Sequence, residues 1–426
     1  MRSIGLDVHR DFCEVAISEG GPAWAAGRVA ARREPLELFA RSLAPTDRVV
    51  LEATGNALAI ARILAPHVAD VVLAHPKRLR AISHAKIKTD RFDARVLAEL
   101  LAAGLIPTVW VPDEQTRALR RLIARRRGVV KRRTQLKNEI QAVLHRNLIE
   151  RPAVSDLFGA KGRAWLRTVW LVDDEQLTLD GALRQLDFLD GELARLDREI
   201  AERVVGDGDV RRLMTIPGVD VTTAATLKAV IGDIGRFPTA RQLVGYLGLH
   251  PTIRQSGTGP ARHGRTSKEG SAAARHVLVE AAWSAARAPG PLRAFAQRVS
   301  SRRGKPVAAV AVARKLAMLA WHLLTRGEDY AFQRPATVAR KLRLLELTAG
   351  APRRKSGPKT HDQQAVWAPA PQHQAERRLA EQAEIAYRRL VADWQASGPK
   401  AGAGATPERA SQRPSKGKAA RQATSS

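Results

Sequence analysis

The sequence predicts an α/β domain on a mixed sheet, then a middle of long helices, a mainly α carboxyl-terminal domain and a basic, disordered tail. Three patterns predict this. Ile4, Leu6 and Val8 alternate in the β sense, and two further apolar runs, 48–52 and 70–74, are separated and followed by helical segments. From residue 116 to 148 the apolar positions recur at helical spacing, with Leu122, Val129, Leu136 and Val143 seven residues apart. Beyond residue 351 Pro, Gly, Ala, Gln and Ser dominate, a composition that buries too little apolar surface to order a chain. The boundaries fall at 1–112, 113–205, 206–335 and 336–426.

Charge narrows the class of partner. A chain of 426 residues with net charge +29 calls for a polyanion, with nucleic acid the leading choice. The first 100 residues carry only +3, so the bases collect downstream and the acids upstream. One cysteine, Cys13, rules out an internal disulfide and suits a reducing cytoplasm. The apolar stretch 307–324 is interrupted by Arg314 and Lys315, so it reads as a buried helix, and no membrane is expected as a partner.

In the first domain, Ile4 to Val8 and Glu14 to Ile17 read as a hairpin, with Asp7 on the face opposite the apolar set. An unpartnered buried carboxylate there would cost several kcal/mol. Glu52 ends the next strand and leads through Ala-Thr-Gly-Asn into a helix; the strand at 70–74 ends at His75-Pro76. Asp90 and Asp93 open a helix and share one of its faces, where the helix dipole favours negative charge. Ligand sites in such sheets gather at strand carboxyl ends. Four acids there form a hard oxygen set suited to Mg²⁺ or Mn²⁺. His9, two residues past Asp7, is read first as a surface histidine, with a metal-adjacent role as the alternative.

The middle holds a helix whose residues 117–146 contain 11 Lys/Arg against one acid, Glu139. Structural helices usually mix charge signs, so this one, Arg120 and Arg127 included, is assigned to phosphate contact. Leu186, Leu189, Leu193, Leu196 and Ile200 form a seam for another helix, either the first one or that of a second protomer.

Further on, Leu213-Met-Thr-Ile-Pro-Gly-Val219 has the form of a helix-hairpin-helix turn. Gly218 would permit the turn and the next helix's amides would hold a phosphate; an ordinary helical turn is the alternative. A Gly-rich segment follows, with Leu247-Gly-Leu-His-Pro251, Ser256-Gly and Ser267-Lys-Glu-Gly270. In it Arg254, Arg262, Arg265 and Lys268 would neutralise phosphates. Composition alone makes Ser256 a loop residue, since no His/Asp partner stands at useful spacing. In the tail, 375–394 is a helical island and 397–426 is expected to be disordered.

Gly5-Leu-Asp7-Val, Leu51-Glu52-Ala-Thr-Gly-Asn and Lys88-Thr-Asp90-Arg-Phe-Asp93-Ala resemble the motifs of DEDD-type insertion-sequence transposases. The Leu-Gly-Leu-x-Pro, Ser-Gly and Ser-Lys-x-Gly motifs, with Arg275, resemble the same family's carboxyl-terminal domain, and Arg275 is assigned with it to nucleic-acid contact. Ser271 departs from it, where Asn is usual. The resemblance spans roughly residues 1–330. It implies an RNase H-like (RuvC-like) first domain, an Asp7, Glu52, Asp90, Asp93 metal tetrad and a catalytic Ser256. It also implies a coiled coil supporting a dimer or tetramer, a composite site between protomers, element-end and target DNA as partners, and a guide (bridge) RNA. A metal-dependent junction nuclease and a non-enzymatic nucleic-acid binder stay open beside it.

Overall fold

The computed structural model describes residues 1–82, 89–257, 259–352 and 371–397, so Lys86, Lys88 and the tail expected to be disordered lie outside the described residues. The chain forms two compact units, Met1–Glu114 and Gln115–Ser426.

The first unit is a five-stranded mixed sheet of order β3-β2-β1-β4-β5. Strands β1 (Ser3–Val8), β2 (Phe12–Ser18) and β3 (Trp24–Ala30) form the antiparallel meander; β4 (Arg48–Glu52) and β5 (Asp70–Ala74) add in parallel. Period-two alternation divides the side chains cleanly. Ile4, Leu6, Val8, Cys13, Val15, Val49 and Leu51 pack against α1 (Arg33–Arg41) and α2 (Ala57–Leu64). The opposite face receives α4 (Asp90–Ala102), whose Ala94, Leu97, Ala98 and Leu101 pack over Ala16, Val50 and Ala74. A short helix, α3 (Pro76–Ile82), precedes it. Burial pushes the Cys13 thiol up to about 11, which removes it from thiolate chemistry.

The second unit opens with α5 (Glu114–Arg146), α6 (Ala160–Leu166) and α7 (Asp173–Val204). The partner of the α7 seam is α5 of the same chain: Leu186 and Leu189 share a core with Val129, Leu136, Ile140 and Val143. This pairing corrects the assignment of the whole basic face of α5 to phosphate. Arg125, Arg126, Arg133 and Arg146 are paired with Glu192, Asp197, Asp190 and Glu175 of α7. The missing negative sign was on the neighbouring helix.

The largest core lies among α8 (Gly208–Leu213), α9 (Val221–Ile231), α10 (Ala240–Tyr246), α11 (Ala272–Ala285), α12 (Pro291–Arg303), α13 (Lys305–Arg326) and α14 (Pro335–Thr348). Helix α13 is long and apolar enough to cross a bilayer, yet Val312, Ala313, Leu316, Ala317 and Ala320 are buried in that core. Between α10 and α11 lies a two-stranded antiparallel hairpin, β6 (Pro251–Arg254) and β7 (Arg262–Thr266), where the sequence suggested only a loop.

The helical island in the tail is α15 (Pro371–Ser397), and it is docked rather than isolated. Glu384, 4% exposed, accepts from the amide of Gly290 at the start of α12 and from Arg293 and Arg388. Two turns earlier Glu376 accepts from the amide of Ala336 at the start of α14. Carboxylates at two helix amino ends satisfy donors that have no intrahelical acceptor. The Glu384 carboxyl is held below its ordinary range: the arginine and amide hydrogen bonds outweigh its burial, the largest single influence, which pushes the other way. A depressed carboxyl stabilises the fold above its unfolded value near 4.5 and loses that contribution as pH falls. Glu384→Ala should therefore release α15, cost about 3 kcal/mol at pH 7 and speed proteolytic cleavage within 371–397. The difference from wild type should shrink as the pH falls below 4.5.

Candidate functional site

The site is built on the absence of a side chain at Gly5. A Cβ there would lie 2.1 Å from the Ala94 carbonyl oxygen and 2.7 Å from the Ala98 amide nitrogen, so α4 rests directly on the backbone of β1. Asp90 shares a helix face with Ala94 and Ala98, and Asp7 shares a strand face with Gly5. One turn back along the helix is about 6 Å; two residues along the strand is about 7 Å. The close packing therefore delivers Asp90 alongside Asp7. Thr89 fixes where the helix begins, its hydroxyl accepting from the Phe92 amide.

His9 lies between the two acids. Its Nε2 is 3.0 Å from Asp7 Oδ2 and 3.3 Å from Asp90 Oδ2, and ligand atoms of the three residues fall within 4.8 Å of one another. A tight turn holds it in place. Its amide donates to the Phe12 carbonyl, its ring lies 4.8 Å from that of Phe12, and the Asn56 amide donates to its carbonyl. His9 is half-buried with its ring turned toward Asp7 and Asp90, so the surface reading gives way to one in which it stands beside the acids.

Parallel pairing of Leu6 with Leu51 sets Asp7 and Glu52 next to each other at the carboxyl ends of β1 and β4. Glu52 and Asp93 lie outside the three-residue cluster, yet Asp93 is near enough for its charge to act on Asp7. Burial raises the Asp7 carboxyl above its ordinary range; His9 opposes this, and the charges of Asp93 and Asp90 add to it. Clustered carboxylates that disfavour one another's ionisation are a donor set a divalent cation relieves. A further acid escaped the sequence reading. Glu14 stands directly across from Asp7 in the β1–β2 register, 2% exposed, its carboxylate held by Arg28 at 2.5 Å. Its place in the alternation of β2 was the available signal.

In the second unit, Ser256 is exposed at the tip of the β6–β7 hairpin, beside Gly257 with φ +58°. Arg254 and Arg262 are exposed and face each other across the two strands; Arg265 and Lys268 are exposed as well. The hairpin base is a clasp of backbones. A Cβ on Gly248 would lie 1.8 Å from the Glu269 oxygen, and one on Gly270 would lie 2.0 Å from the Tyr246 oxygen. Arg275 ties the clasp, its Nη1 donating to the carbonyls of Leu247, Glu269 and Gly270. Arg120 is likewise bonded to the Ala229 and Val230 carbonyls at the end of α9. Gly218, at φ +84°, lies against α11, where a Cβ would meet the Ala281 oxygen at 2.3 Å. The first turn of α9 is capped by Asp220, which accepts from the Thr223 amide. Arg127 is exposed. It lines a cleft of about 850 Å³ between α5 and the start of α11, with Arg120, Lys131, Tyr246 and His276.

Comparison with known proteins gives this geometry a context. A family model described as Transposase IS116/IS110/IS902 family matches residues 210–297, and a DEDD-type model described as Transposase matches residues 4–148. The chain is 31% identical over 222 residues to a probable family 20 transposase of Pseudomonas aeruginosa, covering 49% of this chain and 62% of that protein. It is 28% identical over 166 residues to a putative transposase of Sinorhizobium fredii, covering 37% of each. With the transposase for insertion sequence element IS1111A of Coxiella burnetii the identity is 28% over 343 residues, 78% of this chain and 91% of that one.

If Gly5 sets the distance between Asp7 and Asp90, Gly5→Ala should cost about 1–3 kcal/mol by overpacking and weaken Mn²⁺ binding about tenfold. Gly55→Ala, where a Cβ meets nothing within 4 Å, serves as control. Denaturant unfolding and Mn²⁺ electron paramagnetic resonance read the two effects. Unchanged Mn²⁺ affinity in a destabilised Gly5→Ala protein would refute the spacing role.

Proposed function

Because the chain belongs to the IS116/IS110/IS902 family of transposases, we propose that it is a metal-dependent DNA transposase. In this reading the first unit is an RNase H-like (RuvC-like) domain that positions a phosphodiester. The observation that carries it is the convergence of Asp7, His9 and Asp90 at the strand carboxyl ends, with Glu52 adjacent and Asp93 within electrostatic reach. Asp7, Glu52, Asp90 and Asp93 would hold Mg²⁺ or Mn²⁺, and the imidazole of His9 beside Asp7 and Asp90 makes Mn²⁺ the readier probe. Bound there, a divalent cation supplies Lewis-acid stabilisation of charge developing on phosphoryl oxygens. The chain's own contribution is placement: Gly5 sets the spacing and His9 orients the Asp7 and Asp90 carboxylates.

Ser256 is the nucleophile of strand exchange in this proposal. Its hydroxyl oxygen forms a bond to phosphorus, the leaving strand departs as a free hydroxyl, and a second strand's hydroxyl later displaces the serine. Covalent capture keeps the phosphodiester's free energy, which hydrolysis would dissipate. The exposed hairpin tip supports this role, as does the pairing of Arg254 with Arg262. Like charges directly opposite in a sheet are destabilising, and a phosphate between them removes the penalty. Arg265, Lys268 and the cleft with Arg127 and Lys131 extend the basic surface for DNA. Aromatic residues make up 4% of the chain, few for base stacking, which suits a guide RNA that reads sequence while the protein grips backbone. Assembly as a dimer or tetramer completes the proposal.

Two tests follow. Asp7→Asn and Asp90→Asn, or removal of metal with EDTA, should abolish strand transfer while DNA binding persists. Ser256→Ala should abolish the protein–DNA adduct seen on a denaturing gel; an alanine variant that still cuts and joins like wild type leaves only the junction-nuclease reading. Separately, Arg127→Ala should weaken DNA binding uniformly across sequences and lower the salt slope by about 1. A sequence-selective loss would assign Arg127 to base reading instead.

A further inference from the structure

The turn between α8 and α9 is closed around an ammonium. The carbonyl oxygens of Met214, Ile216 and Val219 converge on one point, and the Nζ of Lys341, from the middle of α14, occupies it. The three separations are 2.8, 3.1 and 2.8 Å. An ammonium carries three donors and no acceptor, so these oxygens saturate it. Among the described residues no carboxylate forms an ion pair with Lys341; burial pushes its ammonium down to about 8, with the Asp220 charge opposing and those of Arg334 and Arg340 adding, so it is largely charged at pH 7.

The cage is rigid on its other sides. Gly218 lies against α11 too closely to admit a side chain. Thr215, 5% exposed, donates its hydroxyl to the Arg212 carbonyl and accepts from the Tyr330 amide at 3.0 Å. A rigid ring of backbone carbonyls that replaces a hydration shell is the means by which proteins hold a bare monovalent cation. Nothing about the ring is specific to lysine except that a lysine fills it.

We propose that the turn at 214–219 is a monovalent-cation site whose cation is built into the chain as the Lys341 ammonium, and that removing the lysine opens it to K⁺. The built-in ion fastens α14 to the turn and makes the shape of the turn independent of the salt in solution.

The test uses the full chain and two variants. Lys341→Ala removes the side chain beyond Cβ and leaves room for an ion, whereas Lys341→Met keeps the length and fills the ring with a methyl group. Thermal unfolding is followed in KCl and in choline chloride at equal ionic strength. Wild type should unfold at one temperature in both salts. Lys341→Ala should unfold earlier in choline chloride and regain most of the lost Tm, saturably, as K⁺ replaces choline. Lys341→Met should be destabilised equally in both. Equal instability of Lys341→Ala in the two salts overturns the proposal, as does equal rescue of Lys341→Met. If Lys341→Ala does not fold in choline chloride, its recovery as monodisperse protein in KCl gives the same reading, and failure in both salts counts against the site.

Discussion

A helix lies closer to a strand in this protein than any side chain would permit, and the arrangement of acids depends on that contact. Gly5 gives α4 a seat on the backbone of β1, with the Ala94 oxygen where a Cβ would be. Once the helix is seated, the positions of Asp90 and Asp93 follow from helical geometry and that of Asp7 from strand geometry. The acids come from segments more than 80 residues apart in sequence, so no local propensity could have set their spacing. Steric permission at one residue does. Burial raises the Asp7 carboxyl, the charges of Asp93 and Asp90 add to it, and the packing of Ala94, Leu97, Ala98 and Leu101 over Ala16, Val50 and Ala74 holds the acids together.

The second unit repeats the device with a different purpose. Gly248 and Gly270 let two backbones touch at the base of the serine hairpin, and Gly218 lets the α8–α9 turn touch α11. Close backbones leave carbonyl oxygens short of donors, and cationic side chains supply them. Arg120, Arg236, Arg275 and Lys341 all donate to main-chain oxygens. A carbonyl satisfies such a side chain without cancelling its charge. The net charge of +29 is therefore partly structural, and its size overstates the surface available to a polyanion. The same reasoning accounts for α5, where α7 supplies carboxylates to four arginines and the exposed remainder is narrower than composition implied.

What was legible in the sequence was whatever one element decides by itself. The alternation of β1 put Asp7 opposite Leu6, and the periodicities of α5 and α7 gave both helices and their seams. Asp90 and Asp93, ahead of an apolar-periodic run, marked a helix start. What escaped depends on a second element. Glu14 becomes a neighbour of Asp7 only through the hairpin register, and His9 turns inward only because the Phe12 and Asn56 contacts hold the turn. Arg275 and Lys341 are tied into the fold by carbonyl partners 28 and about 125 residues distant in the chain, which no local pattern reveals. Helix α15 looked like an island in a tail because its anchors, Gly290 and Ala336, lie in other helices.

The β6–β7 hairpin combines close backbone contact with like charge. Its base is rigid, held by two glycine contacts and Arg275, while its tip is exposed and carries two arginines face to face. A fold selected for stability alone would separate those charges, since opposite or neutral residues at the same pair of positions would hold the strands better. The penalty is acceptable where an anion is regularly present between the strands. In the proposed reading, a serine at that tip would meet phosphate through the placement of its neighbours. The clasp below, held by Gly248, Gly270 and Arg275, would keep the hairpin in place for that encounter.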